Sequence, residues 1–195
     1  MQLPSLTRLG GRWQFVIRFV IFFTLAFIIW TVSVPVTNAV TTFCAEKIVL
    51  LLDTNGFTHS MDTKNHNIIL RYAPTPDGKP WLYNYRNLTF NTVFLIALIM
   101  AVPRTKLQVR LKILAWGLAA IFCIHVLREV ITVFNYYGQH IQRHGETVYP
   151  TFWRKGLFYT ERTLARLDGQ IIPVAIWAAL YFYYQWHREY FKRNA

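Results

Sequence analysis

Ile113-Leu-Ala-Trp-Gly-Leu-Ala-Ala-Ile-Phe-Cys-Ile-His125-Val-Leu-Arg128-Glu129-Val-Ile-Thr-Val-Phe-Asn-Tyr-Tyr137 decides how this chain folds. The run is long enough to cross a bilayer, and three ionisable side chains interrupt its second half. A charge near bilayer depth costs at least roughly 2.5–3.5 kcal/mol on insertion scales, so it persists where it faces a protein interior or a wet cavity. His125 and Arg128 are three residues apart and His125 and Glu129 four, so all three share one helix face. That face is the first candidate for a functional site.

Composition points the same way. Of 195 residues, 54% are hydrophobic and 17% aromatic, with seven Trp and a mean hydropathy of +0.25, which is too apolar for an ordinary soluble domain. Apolar runs Phe19–Val36, Leu88–Pro103, Ile113–Tyr137 and Gln170–Trp186 each approach the 20 or so residues that a span requires, and flanking basic side chains complete the shorter ones by snorkelling. The expected fold is therefore an all-α integral membrane protein with four transmembrane helices, at about 15–36, 87–103, 111–137 and 169–187. Segments 37–86 and 138–168 lie outside the membrane, and the whole forms a single membrane domain.

The first span carries Arg8, Arg12 and Arg18 before it, but its apolar core exceeds a signal-peptide h-region and Val32-Ser33-Val34-Pro35 is a poor cleavage site, so it is read as a retained anchor. Basic residues also cluster at Arg104, Lys106, Arg110 and Lys112 and at Arg188, Lys192 and Arg193. With four spans these three clusters fall on one side, and the positive-inside rule places both termini in the cytoplasm, in a membrane of the bacterial inner-membrane type. The net charge of +12 is then explained by topology and by attraction to anionic lipid. No basic stripe sits on a soluble module, which excludes nucleic acid as a partner. Cys44 and Cys123 are not expected to pair, because Cys123 lies within a span.

In the first outer segment, Val40, Phe43, Cys44, Ile48, Leu51 and Leu52 recur at spacings of three and four. This predicts an extracytoplasmic amphipathic helix over Asn38–Asn55 that Gly56 ends, lying on the membrane surface or packing across the bundle. Two strands, Asn67–Tyr72 and Trp81–Tyr85, flank a connector of three prolines and Asp77-Gly78 and predict a small β-hairpin. The second outer segment is polar and aromatic. Its His140 and His144 invite a metal reading, but no cysteine or carboxylate arrangement completes a ligand set, which favours a surface pair. Glu161, Arg162, Arg166 and Asp168 precede the last span and are placed either to turn into the mouth of the bundle or, for the arginines, to contact lipid headgroups.

The order of these features, a helix ending in Leu51-Leu-Asp-Thr-Asn-Gly56, an outer β segment, Asn84-Tyr85-Arg86-Asn87 opening a span, Pro103 with Arg110-Leu111, then Gly117 and His125-Val-Leu-Arg128, resembles the exosortase/archaeosortase family over roughly Thr37 to Trp186. The resemblance implies an integral membrane transpeptidase that uses a cysteine to process C-terminal sorting signals on the outer face. The family opens this span with a pattern like Asn-Gly-Cys-Asn-Gly, and counting back from Pro103 puts Arg86 where the nucleophilic cysteine stands. Arg128 matches the family's arginine, and Arg162 or Arg166 is nearest to a third position. A guanidinium stays protonated and has no accessible lone pair, so Arg86 cannot form an acyl intermediate.

The chain therefore reads as a non-catalytic, exosortase-like pseudoenzyme that binds an anionic group or partner at the outer face. Arg86, His125, Arg128, Glu129, Arg162 and Arg166 form the candidate site. Several guanidiniums in a low-dielectric mouth repel one another unless an anion compensates them, and bidentate Arg geometry suits a peptide carboxylate, an acidic peptide or a lipid phosphate. The competing reading pairs Arg128 with Glu129 or backbone carbonyls and lets Arg86 snorkel to the interface. Two alternatives stay open beside it. One is an accessory subunit of a larger membrane complex, suggested by the aromatic crowding of Tyr181–Trp186; the other is an active membrane peptidase whose nucleophile has moved to Cys44, Cys123 or Thr89. No metal set, nucleotide loop or haem attachment motif is present, so the sequence points to no cofactor, with bound lipid the expected companion.

Overall fold

The computed structural model describes residues 11–54, 56–64, 67–72, 81–84, 89–103, 105–143, 146–147, 149–169 and 171–193. The described chain is mostly helical and carries a small antiparallel sheet. Its elements are helix α1 (Gly11–Leu52), strands β1 (Thr58–Lys64), β2 (Asn67–Tyr72) and β3 (Trp81–Asn84), helices α2 (Phe90–Ala101) and α3 (Leu107–His140), strands β4 (Gln142–Arg143) and β5 (Glu146–Thr147), and helices α4 (Thr151–Asp168) and α5 (Ile171–Arg193). They group into two compact units that divide α1 after Val32 and α3 after Ile121.

The first unit holds the N-terminal part of α1, α2, the first part of α3, and α5. Leu95 and Ile99 of α2 and Ile113 and Ile121 of α3 form its core, against which Trp177 and Leu180 of α5 pack. Gly117 is what lets these helices approach. A Cβ there would lie 3.2 Å from Ile99 Cδ1 and 3.3 Å from Leu95 Cδ2, so a small residue at this crossing sets the interhelical distance. On the α1 side, Phe90 meets Phe23, Phe27 and Trp30 edge-on at centroid distances of 6.1, 6.2 and 5.5 Å, the geometry that the aromatic quadrupole favours.

The second unit holds the rest of α1, the sheet, the second part of α3, and α4. The sheet has strand order β1-β2-β3, with Met61 opposite Leu70 and Leu70 opposite Trp81. One face of it, carrying Met61, Ile68 and Leu70, packs with Ala45 and Val49 of α1 and Val126, Val130, Val133 and Tyr137 of α3. A buried relay ties the three elements together. Asp53 Oδ2 accepts the backbone N–H of Thr58 at 2.7 Å and its hydroxyl at 2.9 Å. With the Thr58 proton so committed, Tyr137 donates to Thr58 Oγ1 at 2.6 Å. The turn between Asp53 and Thr58 passes through Gly56 at φ 67°, a left-handed position that glycine occupies without steric cost.

Two helices, Arg12–Leu52 and Leu107–His140, are long and apolar enough to cross a membrane; Phe90–Ala101 is apolar but shorter. Both bury polar side chains alongside their apolar core residues. In the second unit α1 buries Asn38, Thr41 and Thr42 while Val36, Phe43 and Leu51 stand 67, 59 and 82% exposed, and α3 buries His125, Arg128, Glu129 and Thr132 while Leu127 is exposed. Apolar side chains standing this exposed along a long helix fit a helix able to cross a membrane. Within α1 the hydroxyls of Thr24, Thr31, Thr37 and Thr41 donate to carbonyls three or four residues back, so they need no outside partner.

Several expectations change. Among the described residues two helices, not four, have the length and apolarity of a span. The first span and the amphipathic helix are one continuous 42-residue helix that passes through Pro35, whose missing N–H and ring crowd the preceding turn without ending the helix. The amphipathic pattern expected over 38–55 runs as far as Leu52, where the helix ends, with Val40, Phe43, Leu51 and Leu52 exposed; Asn55 lies outside the described residues. The hairpin is two of three strands: β1 escapes the period-2 test because Thr-His-Ser-Met-Asp-Thr-Lys has one apolar residue, Met61. Finally, 138–168 contains an 18-residue helix, α4, whose amphipathic stripe is obscured in sequence by interleaved aromatic and basic residues.

Candidate functional site

The candidate site is built on α3, where residues three, four and seven apart line one face. His125, Arg128, Glu129 and Thr132 are all buried there, His125 to 1% exposure and Glu129 to 2%. The shared face expected for His125, Arg128 and Glu129 thus exists and points into the protein. Arg128 Nη1 donates to Asp168 Oδ2 in a buried ion pair that joins the middle of α3 to the last residue of α4. The side chains of the pair are 11 and 3% exposed, so both charges have left solvent, and each depends on the other for compensation.

Asp168 is the member of the site that the sequence underplays. It appears there as one of four charged residues before the last apolar run, with nothing to separate it from Glu161, and only the end of α4 aims it inward. The two arginines chosen from that segment point elsewhere. Arg162 and Arg166 are exposed on α4, and the Arg162 guanidinium lies 4.5 Å from the ring centroid of Phe158 on its own helix. Arg86 lies outside the described residues. Hence the surplus of positive charge expected at Arg128 is absent among the described residues: Asp168 cancels Arg128, and Glu129 adds a further buried carboxylate.

Polar groups continue along the buried stripes. Asn38, Thr41 and Thr42 of α1 lie on the same stripe as Ala45 and Val49, which meet Val126, Val130 and Val133 of α3 in the core. Among the described residues Asn38 Nδ2 and Oδ1, Thr42 Oγ1, Thr132 Oγ1 and Arg128 Nε have no hydrogen-bond partner. Each such buried group forfeits about 1–3 kcal/mol unless something satisfies it, so five on one pair of helices mark a place where polar matter belongs. Both donors and acceptors are represented, and one donor is a guanidinium edge.

Neither thiol joins this set. Cys123 is exposed and unpaired; two residues before His125, it stands about 200° around the helix from it. Cys44 is half-buried and packs against the apolar cluster of Val126 and Val130. Thr89 is fully buried immediately ahead of α2. His144 lies outside the described residues, and His140 stacks its ring on Tyr136 at 4.6 Å, which in turn stacks on Trp81 at 4.2 Å. Among the described residues no three His, Cys, Asp or Glu side chains stand close enough to hold a metal ion.

No protein-family model matches the chain, and no curated protein or solved structure is significantly similar to it.

Proposed function

We propose that this is an integral membrane protein with both termini cytoplasmic, an exosortase-like scaffold that recognises instead of cuts. In this reading the buried polar stripes of α1 and α3 receive the C-terminal end of an extended peptide at the outer face of a bacterial inner membrane. Arg128 reads its carboxylate. Asp168 occupies Arg128 until the ligand arrives, and exchange of one carboxylate for another leaves the summed charge beside Arg128 unchanged once Asp168 has swung out. That matters among buried side chains, where adding a net charge is far costlier than replacing one.

The observation that carries this proposal is the state of the Arg128 guanidinium, engaged by Asp168 through Nη1 while its buried Nε makes no hydrogen bond among the described residues. A guanidinium offers five N–H donors in a fixed fork. Two parallel N–H···O bonds to one carboxylate are the stronger arrangement, so the Nε edge is open to a further acceptor. Asn38, with both amide atoms buried and unmatched, supplies the donor and acceptor that a peptide unit needs and a phosphate does not, which favours a peptide over a lipid headgroup. Asp168, a carboxylate, already shows the chemistry that Arg128 accepts.

The test is direct binding to the full chain in nanodiscs. A hydrophobic peptide ending in a free carboxylate is expected to bind the wild-type protein and to lose at least tenfold in affinity when amidated or when Arg128 is replaced by Gln. Equal affinity of the free-acid and amidated peptides overturns the proposal. The exposed Phe182, Tyr183 and Trp186 of α5 support a second role as an accessory subunit, and stable co-purification of another membrane protein through that aromatic face is its check.

A further inference from the structure

α4 carries a second feature that the buried site does not use. Its sequence, Thr-Phe-Trp-Arg-Lys-Gly-Leu-Phe-Tyr-Thr-Glu-Arg-Thr-Leu-Ala-Arg-Leu-Asp, separates into two sides when wound at 100° per residue, apart from Trp153, which winds onto the side of Leu157 and Leu164 and stands 62% exposed. Leu157, Phe158, Glu161, Leu164 and Asp168 turn inward, half-buried or buried. The outward face holds Lys155, Arg162 and Arg166 at intervals of seven and four, so the three cations form one stripe. Flanking it, three residues before the first two, stand Phe152 and Tyr159, 79 and 64% exposed. No carboxylate shares this stripe: Glu161 lies to one side and Asp168 is committed to Arg128.

We propose that the exposed face of α4 lies in the membrane interface and binds anionic phospholipid headgroups. Three observations select this occupant. The stripe is uniformly cationic, which complements a phosphate surface and not a mixed protein surface. Its apolar members are aromatic, the class that settles at headgroup level with the ring in the acyl boundary. And α4 is tethered between the end of the apolar α3 at His140 and the apolar start of α5 at Ile171, so the connection holds it within reach of the same membrane surface. Phe152 beside Lys155, and Tyr159 beside Arg162, place ring and cation together as an interfacial helix requires, the ring inward and the cation level with phosphate.

Because the spans hold the protein in the bilayer whatever α4 does, the experiment measures depth and not binding. Nitroxide labels are placed at Phe152→Cys, Tyr159→Cys and, as an outward control beyond the stripe, Thr160→Cys, in the full chain carrying Cys44→Ala and Cys123→Ala. The protein is reconstituted in phosphatidylcholine alone or in an equal mixture with phosphatidylglycerol. Relaxation by oxygen against a water-soluble nickel chelate is then compared. Labels at 152 and 159 are expected to favour oxygen severalfold over the label at 160, and to do so more strongly with phosphatidylglycerol. The triple variant Lys155→Gln, Arg162→Gln, Arg166→Gln is expected to lose that lipid dependence, since each cation near an anionic surface contributes roughly fivefold to partitioning. Two results overturn the proposal: equal nickel accessibility at 152, 159 and 160 in both lipids, which leaves the face in water, or protection that ignores lipid charge and the triple substitution, which assigns it to a protein.

Discussion

Arg128 and Asp168 form a buried ion pair beside the apolar core of the second unit. Removing one partner of a buried ion pair leaves the other charged and unsolvated, so Arg128→Ala is expected to cost about 3–5 kcal/mol, read as a drop in the unfolding midpoint in detergent. The double variant Arg128→Met, Asp168→Leu removes both charges and fills their volume; its midpoint is expected to return to near the wild-type value or above. A double variant no better than Arg128→Ala alone would mean that the pair is not self-contained. Tyr137 offers a smaller and cleaner probe. Tyr137→Phe deletes one donor from the relay through Thr58 to Asp53 while keeping the ring against Phe57, and about 1 kcal/mol is expected.

Among the elements, α4 depends on how closely its start meets the end of α3. A Cβ on Gly138 would stand 3.1 Å from the Tyr149 ring and 3.3 Å from Arg154 Cγ, so Gly138→Val should push the two apart and cost about 1–3 kcal/mol. The Tyr149 phenol is pushed up from its ordinary value by burial and, secondarily, by the nearby Asp53 carboxylate. A raised value means that the fold favours the neutral phenol; its contribution is complete below the ordinary tyrosine range near pH 10 and is lost as pH rises beyond it. Stability is therefore expected to fall off in alkali more steeply for the wild type than for Tyr149→Phe, as measured by unfolding midpoints across that range. These elements also mark what sequence can and cannot show. α2, α3 and the pair β2 and β3 were legible because apolar runs and turn residues bound them. α4 and β1 were not: β1 has one apolar residue, Met61, and along α4 exposed aromatic and basic residues interrupt the inward side that ends in Asp168. Likewise the face of His125, Arg128 and Glu129 followed from spacing alone, whereas the partner 40 residues away has no local signal.

Among the described residues the governing feature is an exposed apolar side on α1 together with polar side chains buried on α1 and α3 beside the apolar core. That distribution predicts opposite responses to one kind of substitution. Val36, on the exposed side of α1, should tolerate Arg if it faces water and resist it if it faces lipid. Here Val36→Arg is expected to reduce membrane insertion by the equivalent of about 2.5–3.5 kcal/mol in a translocon insertion assay. The same polarity explains why Asp168 and the Arg128 edge matter together, since in such a setting a charge is retained only where something is built to meet it. The most direct measurement is therefore the affinity of a peptide with a free C-terminal carboxylate for the Asp168→Asn variant in nanodiscs. If Asp168 holds the place of the ligand, removing its charge frees Arg128 and affinity rises at least tenfold over wild type; an affinity unchanged or lowered by Asp168→Asn contradicts the account.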